Sequence, residues 1–164
     1  MLFRSLPDEE TGQLKPGSKA PDFDLTSLDG GRIKLSDLRG KIVWLCFWRV
    51  GCPPCREEMP HLQSLYTKYR DQGLAVVGVN VSDDREITRK FLSEHGVTFP
   101  NILDTSKAAE KVYSQDYGVG TIPVNYLING DGIVVDGWIG NLEGQARENT
   151  ALKTLGLGAT GSQP

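Results

Sequence analysis

The chain has 164 residues, of which 38% are hydrophobic and 24% charged, and its formal net charge is −3. This size suits one domain with its own hydrophobic core, and the interspersed basic and acidic residues argue against nucleic acid as a partner. No apolar run approaches the ~20 residues of a membrane-spanning helix, no signal-peptide pattern opens the chain, and three cysteines are too few for a disulfide-stapled scaffold.

The two ends of the chain are predicted to lie outside the folded domain. Residues 1–15 carry charge, Pro and Gly without a sustained period, which indicates a flexible leader. Residues 158–164 are small and polar, which indicates a disordered tail. One domain is therefore expected over residues 16–157, with no internal repeat.

That domain is predicted to open with a β-hairpin. Apolar and polar residues alternate over 22–28 and again over 32–35, on either side of the turn Asp29-Gly30-Gly31. Ser36 to Gly40 is then read as a single helical turn. The segment Ile42–Trp48 is nearly continuous in apolar residues, which is typical of a strand buried on both faces of a sheet.

Strands and helices alternate through the rest of the domain. Apolar periodicity and capping residues predict strands at 74–81, 99–103, 124–128 and 133–139 and helices at 53–71, 83–95, 106–117 and 142–155. The strand–helix–strand units require parallel crossovers, whereas the terminal hairpin adds antiparallel strands. The order predicts an α/β fold similar to that of thioredoxin. Its central mixed β-sheet is flanked by helices and carries an N-terminal β-hairpin and an inserted strand–helix element.

The chemistry is predicted to reside in the run Trp48-Arg49-Val50-Gly51-Cys52-Pro53-Pro54-Cys55. Cys52 follows a buried strand and precedes a helix, where backbone N–H groups and the helix dipole stabilise a thiolate, the nucleophile of disulfide exchange. Cys55 lies within one turn, so the two sulfurs can close a small ring. Pro53 is tolerated in the first helical turn, where its missing N–H has no helical partner. We expect Cys52 to attack a partner disulfide and Cys55 to resolve the mixed disulfide, with no cofactor.

The same cysteine spacing is also common in zinc sites, and it could form a structural disulfide. A zinc site needs two more ligands. His61 lies off the helix face of either cysteine, and His95 ends another helix. A structural disulfide across three residues would close almost no loop and gain little stability. A redox pair is preferred to either alternative, and no metal site is predicted.

The segments Gly17-Ser18-Lys19-Ala20-Pro21-Asp22-Phe23 and Phe47 to Pro60 resemble the TlpA/ResA-like branch of the thioredoxin superfamily, which carries a redoxin (AhpC/TSA-like) domain. The resemblance covers about residues 16–155. These are mostly bacterial thiol–disulfide oxidoreductases, and many serve cytochrome c maturation outside the cytoplasm. The resemblance implies protein dithiols and disulfides as substrates, an upstream redox donor protein, and an extracytoplasmic location, either periplasmic or membrane-tethered. This chain shows no anchor, so a cytoplasmic location is the alternative, and a monomer is expected.

A proline after the cysteine motif strengthens the resemblance. Pro123, in Gly120-Thr121-Ile122-Pro123-Val124, matches the proline that has a cis peptide bond in the thioredoxin fold and whose loop pairs with the substrate backbone. The alternative is a trans proline that opens an edge strand. The residues predicted to bind a partner are Trp48, Pro53, Pro54, Ile122 and Pro123, although packing beside the site is the preferred interpretation of Trp48.

The chain departs from the thioredoxin pattern at Cys46, which stands where thioredoxins carry a buried aspartate that assists proton transfer. We interpret Cys46 as a small buried residue, with a third redox thiol as the alternative.

In the TlpA/ResA-like branch an acidic residue after the next strand often assists proton transfer instead, and the match is Asp83, a predicted proton acceptor for Cys55. Asp83 and Asp84 also compete for the helix cap, with Asp84 the better placed. Glu57 and Glu58 are interpreted as ordinary partners of the helix dipole.

Two other functions compete with disulfide exchange. A peroxiredoxin-like peroxidase has Pro and Thr or Ser at fixed offsets before its nucleophile, where this chain has Leu45 and Arg49. A copper- or haem-pathway binding module would need a distal histidine, and neither histidine stands in the expected relation to Cys52 and Cys55.

The direction of exchange is predicted from the Pro53-Pro54 dipeptide between the cysteines. It removes an N–H that could solvate the thiolate, which favours a reductant over an oxidant.

Overall fold

A computed structural model of the protein describes residues 13–81, 83–140, 152–153 and 156. The elements within them are β1 Asp24–Thr26, β2 Arg32–Lys34, β3 Ile42–Trp48, α1 Pro53–Tyr69, β4 Leu74–Asn80, α2 Arg85–Glu94, β5 Asn101–Leu103, α3 Lys107–Lys111, β6 Val124–Ile128 and β7 Val134–Ile139. β1 and β2 form the predicted antiparallel hairpin. The other five strands form one sheet in the order β5-β4-β3-β6-β7.

The sheet is mixed, as the sequence predicts. β3 runs parallel to β4 and β4 parallel to β5, whereas β6 lies antiparallel to β3 and β7 antiparallel to β6. The described part of the chain therefore has the predicted α/β architecture, with β3 at the centre of the sheet. Both faces of β3 are covered by hydrophobic clusters, which is why nearly all its residues are apolar.

β3 divides its side chains between two hydrophobic clusters, one on each face of the sheet. Trp44, Cys46 and Trp48 lie on the face covered by α1, together with Cys55. Val43, Leu45 and Phe47 lie on the opposite face, as the two-residue period of a strand requires. This alternation places Cys46 beneath α1, which Cys52 caps and which contains Cys55.

The helix predicted at 106–117 differs from the structure. Only Lys107–Lys111 is α-helical, and Val112–Asp116 continues as a π-helical turn. The wider turn places two tyrosines in the core, where the hydroxyl of Tyr113 donates to the carbonyl of Asp104 and that of Tyr117 to the carbonyl of Pro21. Two buried tyrosines with hydrogen-bonded hydroxyl groups thus accompany the local change of helix type.

The two ends of the chain lie mostly outside the described residues. Of the leader predicted at 1–15, only residues 13–15 are described, and there Leu14 is buried and donates its N–H to the Tyr126 hydroxyl. Packing against the domain thus begins before residue 16. The helix predicted at 142–155 is described only at Leu152 and Lys153, which are helical, and the tail predicted at 158–164 is not described.

Candidate active site

Cys52 is the N-cap residue of α1. Its backbone is extended (φ −100°, ψ 109°), and its sulfur accepts the N–H of Cys55 at 3.4 Å. β3 ends at Trp48 and α1 begins at Pro53, so the four intervening residues turn the chain and bring the sulfur to the helix N-terminus. This is the position where the helix dipole favours a thiolate.

Cys52 and Cys55 form a disulfide, with their Cα atoms 5.2 Å apart. The two cysteines differ in accessibility, since Cys55 is fully buried whereas Cys52 is half-buried. Pro53 and Pro54, between them, are exposed. An incoming thiolate can therefore approach the Cys52 sulfur, while the protein shields that of Cys55.

The loop before β6 lies against Cys52. The Cys52 sulfur is 3.9 Å from the carbonyl oxygen of Ile122, and the peptide bond between Ile122 and Pro123 is cis. The cis geometry implied by the resemblance is thus confirmed. Ile122 is half-buried and Pro123 is buried, so of this pair Ile122 is the one that a bound chain could touch.

Asp84, as predicted, caps α2, where its carboxylate accepts the N–H groups of Glu86 and Ile87. The Asp83 side chain points away from α2, towards the loop that precedes Cys52. Its carboxylate accepts the backbone N–H of Val50 and the side-chain amide of Asn80, and it lies 4.0 Å from the guanidinium of Arg49. Asp83 therefore ties the loop that leads to Cys52 to the end of β4.

Replacing Asp83 with asparagine is expected to lower the free energy of unfolding by about 1 kcal/mol, because hydrogen bonds to a carboxylate become weaker neutral ones. Urea denaturation of the oxidised protein measures this loss. The rate at which Cys55 resolves a mixed disulfide is expected to change less than about twofold, since Oδ2 of Asp83 already accepts hydrogen bonds from Val50 and Asn80. A tenfold slower resolution without loss of stability would instead support Asp83 as the proton acceptor.

Glu58 lies one helical turn after Cys55 and is buried beneath the active site. Its carboxylate accepts the side-chain N–H of Asn125 at 3.0 Å, and its other oxygen lies 3.8 Å from the sulfur of Cys46. Burial raises the pKa of Glu58 to about 7, although its hydrogen bonds with Asn125 and Cys46 act in the opposite direction. A carboxyl group that titrates near neutrality is well suited to accept and return a proton.

The interpretation of Glu58 as an ordinary dipole partner is therefore wrong. Residues 55, 58, 59 and 62 share one face of a helix, and three of them are the buried Cys55, Met59 and Leu62. The helical spacing was the available signal, because it places Glu58 on the core face of α1. A carboxylate predicted on a core face calls for a partner or a shifted pKa.

Cys46 and Trp48 are both fully buried on β3. The pKa of the Cys46 thiol is raised by burial and by the neighbouring Glu58, which agrees with the interpretation of Cys46 as a buried packing residue. The indole N–H of Trp48 donates to Asn101, and its ring packs on Phe91. Trp48 therefore packs behind the site, and it has no exposed surface for the predicted contact with a partner.

The two histidines lie apart from the cysteine pair. His95 follows α2, where its ring stacks on Phe91 and its Nδ1 lies 2.8 Å from the carbonyl of that residue, and His61 is exposed on α1. Among the residues that the structure describes, no three His, Cys, Asp or Glu side chains are grouped so that they could hold a metal ion. Cys52 and Cys55 are instead bonded to each other.

The sequence agrees with this geometry when it is compared with known proteins. The model of the AhpC/TSA family matches residues 16–136. The chain belongs to this family. A thiol-disulfide oxidoreductase ResA from Bacillus thuringiensis (strain Al Hakam) is 36% identical over 148 residues, which are 87% of this chain and 82% of the relative.

A second ResA, from Geobacillus kaustophilus (strain HTA426), is 42% identical over 118 residues, 72% of this chain and 66% of its own length. Among solved structures, the thioredoxin domain of a thiol-disulfide oxidoreductase from Bacteroides vulgatus superposes with a TM-score of 0.76 at 29% identity. That match covers 87% of this chain and 99% of the other. The chain is a thiol-disulfide oxidoreductase with the thioredoxin fold, and it acts on protein thiols or disulfides.

Proposed function

We propose that this oxidoreductase reduces disulfides in partner proteins, with Cys52 as the nucleophile and Cys55 as the resolving thiol. The difference in accessibility between the two cysteines carries the proposal, since Cys52 is partly exposed whereas Cys55 is fully buried. The Cys52 thiolate attacks a partner disulfide, forms a mixed disulfide and releases one partner thiolate. Cys55 then attacks the Cys52 sulfur, which closes the Cys52–Cys55 disulfide and releases the second partner thiolate.

Cys55 must lose its proton before it can attack, and Glu58 is the better supported acceptor. Side chains three residues apart on a helix are neighbours, with about 5–6 Å between their Cβ atoms. The pKa of Glu58, about 7, lies near neutral pH, so the carboxylate is available to take a proton. Oδ2 of Asp83 already accepts hydrogen bonds from Val50, in the loop before Cys52, and from Asn80, at the end of β4, which supports Asp83 as an anchor.

The first turn of α1 supports reduction as the direction of exchange. An N-cap side chain accepts hydrogen bonds from the second and third helical residues, which here are Pro54 and Cys55. Pro54 has no N–H, so Cys55 alone supplies this bond. A thiolate with fewer donors is less stabilised, which disfavours the reduced form and makes the pair a stronger reductant.

The reduction potential of the pair tests this direction. We expect a value near or below the ~−270 mV of thioredoxin. Replacing Pro54 with alanine returns one N–H to Cys52 and is expected to raise the potential by about 30 mV, the equivalent of one hydrogen bond. Equilibration with dithiothreitol, followed by tryptophan fluorescence, gives both values.

Pro53→Ala is the matched control, because the N–H of the first helical residue does not face the N-cap side chain. Its potential is expected to equal that of the unmodified protein. A value for the unmodified protein towards ~−120 mV would identify an oxidant, and equal shifts in both proline variants would remove the hydrogen-bond explanation.

The partner and location follow from the resemblance to the TlpA/ResA-like branch. We infer that the protein acts outside the cytoplasm, is recharged by an upstream dithiol donor and serves cytochrome c maturation. Partner binding is assigned to the exposed Pro53 and Pro54 and to the loop that lies against Cys52, where the half-buried Ile122 is the residue a partner can touch and Pro123 is buried beside it. No helix in the described part of the chain is long and apolar enough to cross a membrane.

A further inference from the structure

A chain of hydrogen bonds runs through the core beneath Cys55 and joins β3, β6 and α1. The indole N–H of Trp44 donates to Oδ1 of Asn125 at 2.8 Å, and Nδ2 of Asn125 donates to Oε1 of Glu58 at 3.0 Å. Oε2 of Glu58 lies 3.8 Å from the sulfur of Cys46. All four side chains are buried, and three of them have no exposed surface.

The indole of Trp44 fixes the direction in which these hydrogen bonds run. An indole N–H can only donate, so the oxygen of the Asn125 amide must face Trp44 and the NH2 group must face Glu58. Turning the amide over would set its NH2 group against the indole N–H and its oxygen against the carboxylate. Both contacts would be unfavourable in a buried site. The orientation of Asn125 is therefore set by Trp44 on another strand, and the carbonyl of Gly140, 3.5 Å from Nδ2, favours the same orientation.

We propose that Trp44 and Asn125 are positioning residues of the exchange reaction, which together hold the Glu58 carboxylate ready to accept the Cys55 proton. The inference rests on the role of Glu58 in the proposed function and adds what controls that role. Trp44 orients the amide, the amide supplies a donor to one carboxylate oxygen, and the weakly donating Cys46 thiol lies at the other.

The amide determines whether Glu58 can act as a base. Burial alone would keep this carboxyl group protonated, whereas a hydrogen bond to its charged form favours ionisation. The groups in contact with Glu58 are the thiol of Cys46 from β3 and the neutral amide of Asn125 from β6. Cys55 lies one turn earlier on the same face of α1. Among the described residues no charged side chain is hydrogen-bonded to Glu58, so the donor from Asn125 carries most of the compensation.

Trp44→Phe tests the proposal with little change in volume. Loss of the indole N–H removes the donor that holds the oxygen side of the Asn125 amide and weakens the hold of Asn125 on Glu58. The pKa of Glu58 is then expected to rise, by at most about one unit, the worth of one hydrogen bond to a charged group. Asn125→Leu removes the donor itself and is expected to raise that pKa at least as much. The readout is an NMR titration of the Glu58 side-chain carboxyl carbon in the oxidised protein, with Glu58→Gln identifying the resonance.

Trp48→Phe is the matched control. It removes a buried indole-to-asparagine hydrogen bond from the same strand, that of Trp48 with Asn101 at 2.9 Å, without touching the network. The pKa of Glu58 is expected to stay unchanged in this variant. An unchanged pKa in Trp44→Phe, or an equal rise in Trp48→Phe, would overturn the inference. If Trp44→Phe does not fold, Asn125→Leu decides the question alone.

A second measurement separates this inference from the role of Glu58 itself. In each variant the rate at which Cys55 resolves a mixed disulfide is followed against pH, and its midpoint is expected to move with the pKa of Glu58. A shifted pKa with an unmoved midpoint would overturn Glu58 as the proton acceptor, although the hydrogen-bond chain would stand. An unshifted pKa would overturn the proposed role of Trp44 and Asn125 and leave the role of Glu58 intact.

Discussion

Replacing Cys55 with serine is expected to stop turnover and leave the protein joined to its partner through Cys52. The serine variant can still attack a partner disulfide, because the half-buried Cys52 keeps its place at the N-terminus of α1. It has no second thiol one turn away to release the partner. Intramolecular attack is worth effective molarities of about 10⁵ M or more, so release by an external thiol is expected to be at least about a thousandfold slower.

The measurement is a single turnover of the reduced variant with an oxidised protein substrate, quenched with acid and analysed by mass spectrometry. Covalent adduct is expected to accumulate to nearly one partner per chain, and peptide mapping is expected to place the bond at Cys52. Cys52→Ser is the matched variant, since it leaves only the buried Cys55 of the pair. It is expected to give neither product nor adduct. Adduct at Cys55 in that variant would reverse the assignment of nucleophile and resolving thiol.

Features that depend on local sequence could be predicted well. The continuous apolar run of β3, the cysteine pair before a helix and the Asp84 cap each depend on residues that are close together along the chain. Local periodicity and capping chemistry are enough to place such features. The cis bond before Pro123 needed more, since the residues alone favour trans and only the resemblance indicated cis.

The polar network could not be predicted in the same way, because its members meet only after the strands have paired. Trp44 and Asn125 are 81 residues apart, and Asn125 and Glu58 are 67 apart. Cys46 and Asn125 face each other across the β3–β6 pair. A shift of one residue in that register would turn Asn125 to the opposite face of the sheet. One sequence gives the period of a strand but does not determine which residue lies opposite which.

The buried position of Glu58 could be predicted from the sequence, but its raised pKa could not. Helical spacing places it on the same face of α1 as Cys55, Met59 and Leu62, which are all buried. The raised pKa depends on how far the carboxyl group is removed from water and on what donates to it. Those donors come from β3 and β6. The functional importance of this residue is therefore a property of the packed structure.

Replacing Glu58 with glutamine is expected to change how the stability of the oxidised protein depends on pH. The pKa of Glu58 is about 7 in the folded protein and 4.5 for the unperturbed group. The folded state therefore keeps this proton at pH values where the unfolded state has lost it. The contribution of Glu58 to stability is complete below about pH 4.5 and is lost as the pH rises towards and through 7.

Between pH 5 and pH 8 this loss amounts to about 2.5 kcal/mol of unfolding free energy, since each unit of pKa difference corresponds to about 1.4 kcal/mol. Glutamine does not titrate, so Glu58→Gln is expected to lose about 2.5 kcal/mol less than the unmodified protein over the same interval. Urea denaturation at both pH values measures the difference. The oxidised protein is used because the Cys52–Cys55 disulfide does not titrate.

Glu57→Gln is the control for this measurement, because Glu57 is the adjacent carboxyl group on α1 and is exposed. Its stability is expected to follow that of the unmodified protein at both pH values. If the curves of the unmodified protein and Glu58→Gln ran parallel, Glu58 would be titrating as it does in water. A carboxylate that acidic would be a poor acceptor for the proton of a buried thiol, and the proton in the resolving step would need another destination. The pH dependence of stability thus tests the mechanism without measuring a rate.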